Sequence, residues 1–264
     1  MDIYSVFRKI VDYTASLLRE LYGREDYIEI IGHGVSGDVS RRIDIIAEDY
    51  IVDALKSNGL NALVVGEEKG ARSIGSSIDY IVLVDPLDGS LNYSIGIPFA
   101  SVSLAVYKPG SLITQPIYGV VRGVFTNEIY ELFNNTIYYN GRVLTRRQGE
   151  SDLVLSIYTE NPQHYQALLE VSRGIGRGLK IRTMGSASLE AIYASIGSIS
   201  AFIHLTGKLR NSDVAVAMAM AGVLKAGLFT IPRIEEISIN RIERIEKIII
   251  SQNNNLFKAL VEKL

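Results

Sequence analysis

The chain has 264 residues, of which 47% are hydrophobic and 21% charged, with a formal net charge of -2 and no cysteine. That length and apolar content support a large core, in one folding unit or two closely packed ones, and argue against disorder. The missing cysteines exclude disulfides, thiolate zinc sites, iron–sulfur clusters and a thiol nucleophile, so any metal is held by oxygen or imidazole. A near-balanced charge gives no general attraction for nucleic acid, and the basic stretch 142–147 is short and lacks interleaved aromatics. No run of about 18 apolar residues suggests a membrane span. The N-terminal stretch, with Arg8, Lys9, Arg19 and Glu20, reads as an amphipathic helix and not a signal peptide, which predicts a cytoplasmic protein.

Ile3, Val6, Phe7, Ile10, Tyr13, Leu17, Leu18 and Leu21 recur at helical spacing over residues 3–21. The pattern returns over 43–55 and stops at Asn58-Gly59, predicting two helices before the first strand. Apolar runs at 62–65 and 80–84 predict strands, each ending in acidic residues. Stretches 102–107, 117–124 and 128–133, separated by Lys108-Pro109-Gly110 and Asn134-Asn135, predict an antiparallel meander closed by an Asn140-Gly141 hairpin turn. Beyond residue 150 the order becomes strand 153–158, helix 162–172, strand 179–182, helix 186–196, strand 199–204 and helix 213–226. The fold class expected is therefore α+β over residues 1–150 and layered α/β over 151–264. No Gly/Ser/Pro-rich linker separates the halves, so they should share a tight interface with the site in the cleft between them. The isoleucine-rich stretch 234–250 fits neither a two- nor a 3.6-residue period.

The strand ends carry the chemistry. Gly66-Glu67-Glu68 and Asp85-Pro86-Leu87-Asp88-Gly89-Ser90 set four carboxylates at neighbouring strand ends, a clustering of like charge that a cation would relieve. Magnesium prefers oxygen ligands and is usually held by a few carboxylates plus substrate phosphate. Pro86 predicts a chain reversal straight after the strand, turning Asp85 and Asp88 into one space with the Leu87 carbonyl as a further oxygen. Gly89 and Ser90 then offer backbone N–H groups at the start of a helical turn, an arrangement that receives phosphate. Taken singly, Asp-Pro-x-Asp-Gly is an ordinary turn and Glu-Glu a loop tip; their co-occurrence is what favours a metal site.

These motifs, with Asp213-Val214-Ala215 opening a late helix, resemble the inositol monophosphatase and fructose-1,6-bisphosphatase superfamily over residues 37–227. The resemblance implies a layered αβαβα sugar-phosphatase fold. It implies metal ligation by Glu67, Asp85, the Leu87 carbonyl, Asp88 and Asp213, with Asp38 approaching an additional ion and Asp44 supporting the site. It further implies that Glu67 and Ser90 orient the attacking water, that Glu68 contributes secondarily, and that Asp88, Gly89 and Ser90 meet the phosphate. Two or three magnesium ions are expected, with manganese able to substitute, and a homodimer or homotetramer.

Three departures matter: the first keeps the hydroxyl and its chemistry, the second mainly alters packing, and the third bears on specificity for inositol phosphate. Ser90 stands where threonine is commoner, Ser212 where tryptophan often precedes the aspartate, and residues 204–210 lack the glutamate offered to inositol hydroxyls. Lys208 and Arg210 instead suit a second phosphate, because a guanidinium is a bidentate fork and an ammonium a point charge. The resemblance implies as substrate a small sugar or inositol phosphate, foremost fructose 1,6-bisphosphate in carbohydrate metabolism (gluconeogenesis), with inositol-1-phosphatase activity. The alternatives are 3'-phosphoadenosine 5'-phosphate or an inactive scaffold of the same fold. Gly185 and Ser186 are expected near the substrate, Ser186 also as a helix cap, and Tyr158 is weighed between sugar contact and core. Gly174-Ile175-Gly176-Arg177-Gly178 lacks the Lys-Ser/Thr of a phosphate loop and reads as a turn, and His33, His164 and His204 form no zinc motif.

Overall fold

The computed structural model describes residues 3–35, 37–145 and 152–264. Arg146 and Arg147 of the basic stretch, and the boundary expected at residue 150, lie outside the described residues. In chain order the elements are α1 (Ile3–Leu21), α2 (Glu25–Ile28), β1 (Ile30–His33), β2 (Val39–Arg41), α3 (Arg42–Ser57), β3 (Ala62–Gly66), β4 (Gly70–Ile74), β5 (Tyr80–Asp88) and α4 (Ser90–Ser94). There follow β6 (Ser101–Tyr107), β7 (Tyr118–Gly123), β8 (Ile129–Phe133), β9 (Thr136–Tyr139), β10 (Arg142–Val143), β11 (Leu153–Tyr158), α5 (Pro162–Ile175), β12 (Leu179–Arg182) and α6 (Ala187–Ile196). The chain closes with β13 (Ala201–His204), β14 (Leu209–Arg210), α7 (Asn211–Val223), β15 (Gly227–Ile231), β16 (Arg244–Ile245), β17 (Lys247–Ser251) and α8 (Asn254–Lys263).

Among the described residues the two large sheets have eight strands, in the order β10-β9-β8-β7-β6-β5-β3-β4, and five, in the order β12-β11-β13-β17-β15. Strand alternation assigns their faces. In β5, Val82 and Val84 pack with Phe7, Ile10 and Leu18 of α1 and Ile43, Ile51 and Leu55 of α3. Ile81 and Leu83 of the same strand face Leu189 and Ile192 of α6 and Val214 and Met218 of α7. Phe202 of β13 and Ile248 and Ile250 of β17 enter that shared core from the smaller sheet. Leu153, Leu155, Ile203 and Ile249 turn the other way, onto Leu168 of α5 and Leu256 and Leu260 of α8. The result is the expected αβαβα stack. Helices α6 and α7, buried nearly all round, form the middle layer, as an all-apolar helix must.

Several expectations are corrected. A hairpin, β1 with β2, precedes α3, so two long helices do not come before the first strand. Asp85-Pro86-Leu87-Asp88 does not reverse the chain. It continues β5 through an irregularity in which Asp85 pairs with Ser103 and Asp88 with Ser101, one extra residue that accommodates Pro86, which has no N–H for the ladder. Helix α7 begins at Asn211, making Asp213 its third residue, and ends at Val223. The isoleucine-rich stretch ends in β17, a central strand of the smaller sheet with β13 on one side and β15 on the other. Buried on both faces, it shows no alternation.

Candidate active site

Three elements deliver the carboxylates. Strands β3 and β5 run parallel with Gly66 beside Val84, so Glu67, just past the end of β3, and Asp85, still within β5, follow side by side. Asp213 enters from the first turn of α7, where its Oδ2 accepts the backbone N–H of Arg210 at 2.9 Å and its Oδ1 the Ser212 hydroxyl at 3.0 Å. One carboxylate oxygen each from Glu67, Asp85 and Asp213 lie within 4.8 Å of one another. Asp85 is 2% exposed and Asp213 6%.

Burial and mutual repulsion make these groups reluctant anions. Asp85 is held well above the ordinary carboxylate range, first by desolvation and then by the charges of Glu67, Asp213 and Asp88. Glu67 is also raised well above its usual value by desolvation, against the pull of Arg210, and Asp213 is raised chiefly by desolvation. Asp88 is pushed up to about 6 by desolvation and then by Asp213, while hydrogen bonds from Ser186 and Ser188 oppose the rise. Such a set becomes favourable when a cation neutralises it, and its all-oxygen donors fit a hard divalent ion.

Asp88 is fastened at the start of α6. Its oxygens accept the Ser186 hydroxyl at 2.5 Å, the Ser101 hydroxyl at 3.2 Å and the backbone N–H groups of Ala187 and Ser188 at 3.0 and 2.8 Å, a favourable seat for an anion. Ser186 is thus the residue before the helix, but its hydroxyl serves Asp88 and makes no cap bond to its own helix. Ser188 donates its hydroxyl to the Asp213 carbonyl at 2.7 Å, joining α6 to α7. Leu87 lies buried in β5 between the two aspartates, and Gly89, with φ of 94°, precedes Ser90 at the start of α4. A Cβ on Gly89 would stand 2.8 Å from the Gly185 carbonyl oxygen, so only glycine lets the two loops touch.

Arg210, 12% exposed in its side chain, lies among the acids: its Nη2 pairs with Glu67 at 2.8 Å and with Asp38, and its Nη1 is 3.9 Å from Asp213. Asp38, on the β1–β2 hairpin, is joined to the cluster by that guanidinium. Lys208 pairs with Glu160 at 2.5 Å, with side chains 61% and 74% exposed. Asp44 caps α3 by accepting the Arg41 N–H at 2.8 Å, and desolvation lifts it to about 7. Glu68 is buried and likewise raised, first by desolvation. The Tyr158 hydroxyl donates to Glu190 and accepts the Gly185 N–H at 2.9 Å, while its ring stacks 5.0 Å from His204.

Two buried acids beside the site, Glu190 and Glu48, are marked by none of the sequence motifs. Glu190 of α6 accepts the Ser156 hydroxyl at 2.5 Å and the N–H groups of Met184 and Gly185 at 3.1 and 2.9 Å, holding the loop that carries Ser186. Glu48 of α3 lies behind Glu67 and Glu68. Their signal was an acid on a largely apolar helix face: Glu190 between Leu189 and Ala191, and Glu48 one turn beyond Asp44, beside Ala47 and Ile51.

The layered fold and its buried carboxylate cluster belong to a class of phosphomonoester hydrolases. A model of the inositol monophosphatase family matches residues 2–223. The chain belongs to the inositol monophosphatase family. It is 32% identical over 258 residues to an inositol-1-monophosphatase of Aeropyrum pernix, covering 96% of this chain and 94% of that one. It is also 32% identical over 252 residues to a fructose-1,6-bisphosphatase/inositol-1-monophosphatase of Thermococcus kodakarensis, covering 92% and 90%. Among solved structures, one titled inositol monophosphatase-fructose 1,6 bisphosphatase superposes with a TM-score of 0.82 at 25% identity over the whole of both chains. It is therefore an enzyme acting on small phosphorylated substrates. Among the described residues no helix is long and apolar enough to cross a membrane.

Proposed function

We propose that the chain hydrolyses fructose 1,6-bisphosphate and inositol 1-phosphate by attack of water on phosphorus, in the cytoplasm and as a homodimer or homotetramer. The observation carrying this reading is the convergence of a half-buried Glu67 with the buried Asp85 and Asp213. These residues, with the Leu87 carbonyl and Asp88, would hold two magnesium ions, or three with Asp38, and manganese would serve in their place. Bound there, such ions supply a water of lowered pKa and neutralise charge on the phosphate and leaving oxygen. The site in this reading lies where a half of residues 1–150 meets a half of residues 151–264.

The chain's own residues divide the remaining work. Glu67 and Ser90 orient the attacking water in line with the breaking P–O bond, with Glu68 behind them. Gly89 and Ser90 receive the phosphate, and the Ser186 hydroxyl and the α6 N–H groups hold Asp88 at the start of α6, beside the Glu67, Asp85 and Asp213 cluster. Lys208 and Arg210 meet the second phosphate, with Tyr158 and Gly185 beside the sugar. Lys208 can leave Glu160 at little cost, because an exposed pair contributes only about 0–1 kcal/mol. Arg210 is a fork suited to phosphate oxygens, and a bisphosphate would compete with Asp38 and Glu67 for it. The names of the Aeropyrum and Thermococcus relatives support this pair of substrates.

The test is phosphate release from fructose 1,6-bisphosphate, inositol 1-phosphate and 3'-phosphoadenosine 5'-phosphate at saturating magnesium. Turnover of the first two above the third is expected. Preference for the adenosine compound would replace this reading with the nucleotide one.

A further inference from the structure

Strands β3 and β4 form a hairpin in which Gly66 pairs with Gly70, leaving Glu67, Glu68 and Lys69 as its loop. A loop that short points its backbone N–H groups away from its own ladder, and each needs an acceptor. The acceptor is Glu48. Its Oε2 takes the Glu68 N–H at 2.8 Å and its Oε1 the Lys69 N–H at 3.2 Å, while the Arg72 Nη2 donates to Oε1 at 2.7 Å. The Glu48 side chain is wholly buried, and Arg72 is its counter-charge from β4.

The fit is close from the other side as well. A Cβ on Gly66 would stand 2.4 Å from the Glu48 carboxylate carbon, so this carboxylate occupies the space that any larger residue at 66 would need. Asp49, the next residue of α3, pairs with Lys69 at 2.6 Å and with Arg72 at 3.2 Å, gripping the loop and the β4 arm of the hairpin.

We propose that Glu48 is a positioning residue for the Glu67 loop: it sets the direction of the Glu67 carboxylate and thereby the affinity of the site for divalent cations. The inference rests on the reading of Glu67 as a metal ligand. Groups that orient ligands from behind typically change metal affinity 10–100-fold when altered. Glu48→Gln keeps the shape but turns an amide NH2 toward a backbone N–H, replacing one acceptor by a donor facing a donor. Gly66→Ala attacks the same contact from the opposite partner. Leu104→Ala, in the core of β6, serves as a control that lowers stability without removing any hydrogen bond between Glu48 and the Glu67 loop.

The experiment is calorimetric titration of each protein with magnesium chloride in the absence of substrate, with hydrogen exchange at the Glu68 and Lys69 amides as a second measurement. Glu48→Gln and Gly66→Ala should both weaken the magnesium Kd by about 10–100-fold. Both amides should exchange faster in Glu48→Gln, and Leu104→Ala should leave the Kd unchanged. An unchanged Kd in Glu48→Gln, with wild type binding normally, overturns the proposal alone. No magnesium binding by wild type overturns it together with the metal reading. Should Gly66→Ala fail to fold, Glu48→Gln decides by both measurements.

Discussion

Replacing Asp44 by asparagine should stabilise the metal-free fold, by an amount that grows with pH. Asp44 is 3% exposed, accepts one backbone N–H, and has its Oδ1 buried without a hydrogen-bond partner. Desolvation, and then the charge of Glu68, lift it from 3.8 to about 7. A folded-state value above the unfolded one means that the folded protein binds the proton more tightly. The resulting stability is present below the unfolded value near 3.8 and is lost as pH rises toward 7. A displacement of about three pH units, at about 1.4 kcal/mol each, costs about 4 kcal/mol above pH 7 and under about 1 kcal/mol at pH 4. Asparagine keeps an oxygen for the Arg41 N–H and carries no charge. Unfolding in urea with a chelator present should therefore show Asp44→Asn gaining on wild type by about 3–4 kcal/mol between pH 4 and pH 8. At about 2–4 °C per kcal/mol, that corresponds to roughly 6–16 °C in Tm. A difference between the two proteins that stays constant with pH would refute the argument, as would a loss of stability at pH 8.

Three further outcomes follow from the packing and the surface. Leu104→Ala opens a fully buried position of β6 beneath α1 and α3 and should cost about 2–5 kcal/mol in denaturant unfolding. Gly185→Ala should lower stability and phosphatase activity together: its φ is 94°, and a Cβ would stand 2.4 Å from the Asn92 amide that ties this loop to Met184 and Phe99. Lys208→Ala should raise KM for fructose 1,6-bisphosphate severalfold, leave KM for inositol 1-phosphate unchanged, and change Tm little, because its ion pair is exposed.

Much of this architecture was legible because periodicity and burial agree. The helical stripe over 3–21 is α1 residue for residue, and the meander from β6 to β9 follows its alternating stretches and Asn punctuation. The reading fails where tertiary contacts override local preference. Asp-Pro-Leu-Asp has the composition of a turn, yet pairing of Asp85 and Asp88 with β6 keeps the segment in the sheet. The segment with Ile248, Ile249 and Ile250 shows no period because neighbours cover both of its faces. The strand ends revealed Glu67 and Asp85, since acids straight after an apolar run stand out. Glu48 and Glu190 stayed hidden: Glu48 takes the N–H of Glu68 and Glu190 the hydroxyl of Ser156, partners brought near only by the fold. Arg210 was expected to face substrate, and its pairing with Asp38 and Glu67 could not be foreseen from residues 172 and 143 positions away.

The most direct test of the central claim is phosphate release from fructose 1,6-bisphosphate as magnesium is titrated, comparing wild type with Asp213→Asn. The substitution preserves the size of the side chain and an oxygen for the Arg210 N–H while removing one charge from the carboxylate triad. The account predicts magnesium-dependent release by wild type, abolished by chelator, and release by Asp213→Asn lowered at least about 100-fold, as loss of an interaction worth some 2.7 kcal/mol or more would give. Release that is equal in the two proteins, or unaffected by chelator, would contradict it.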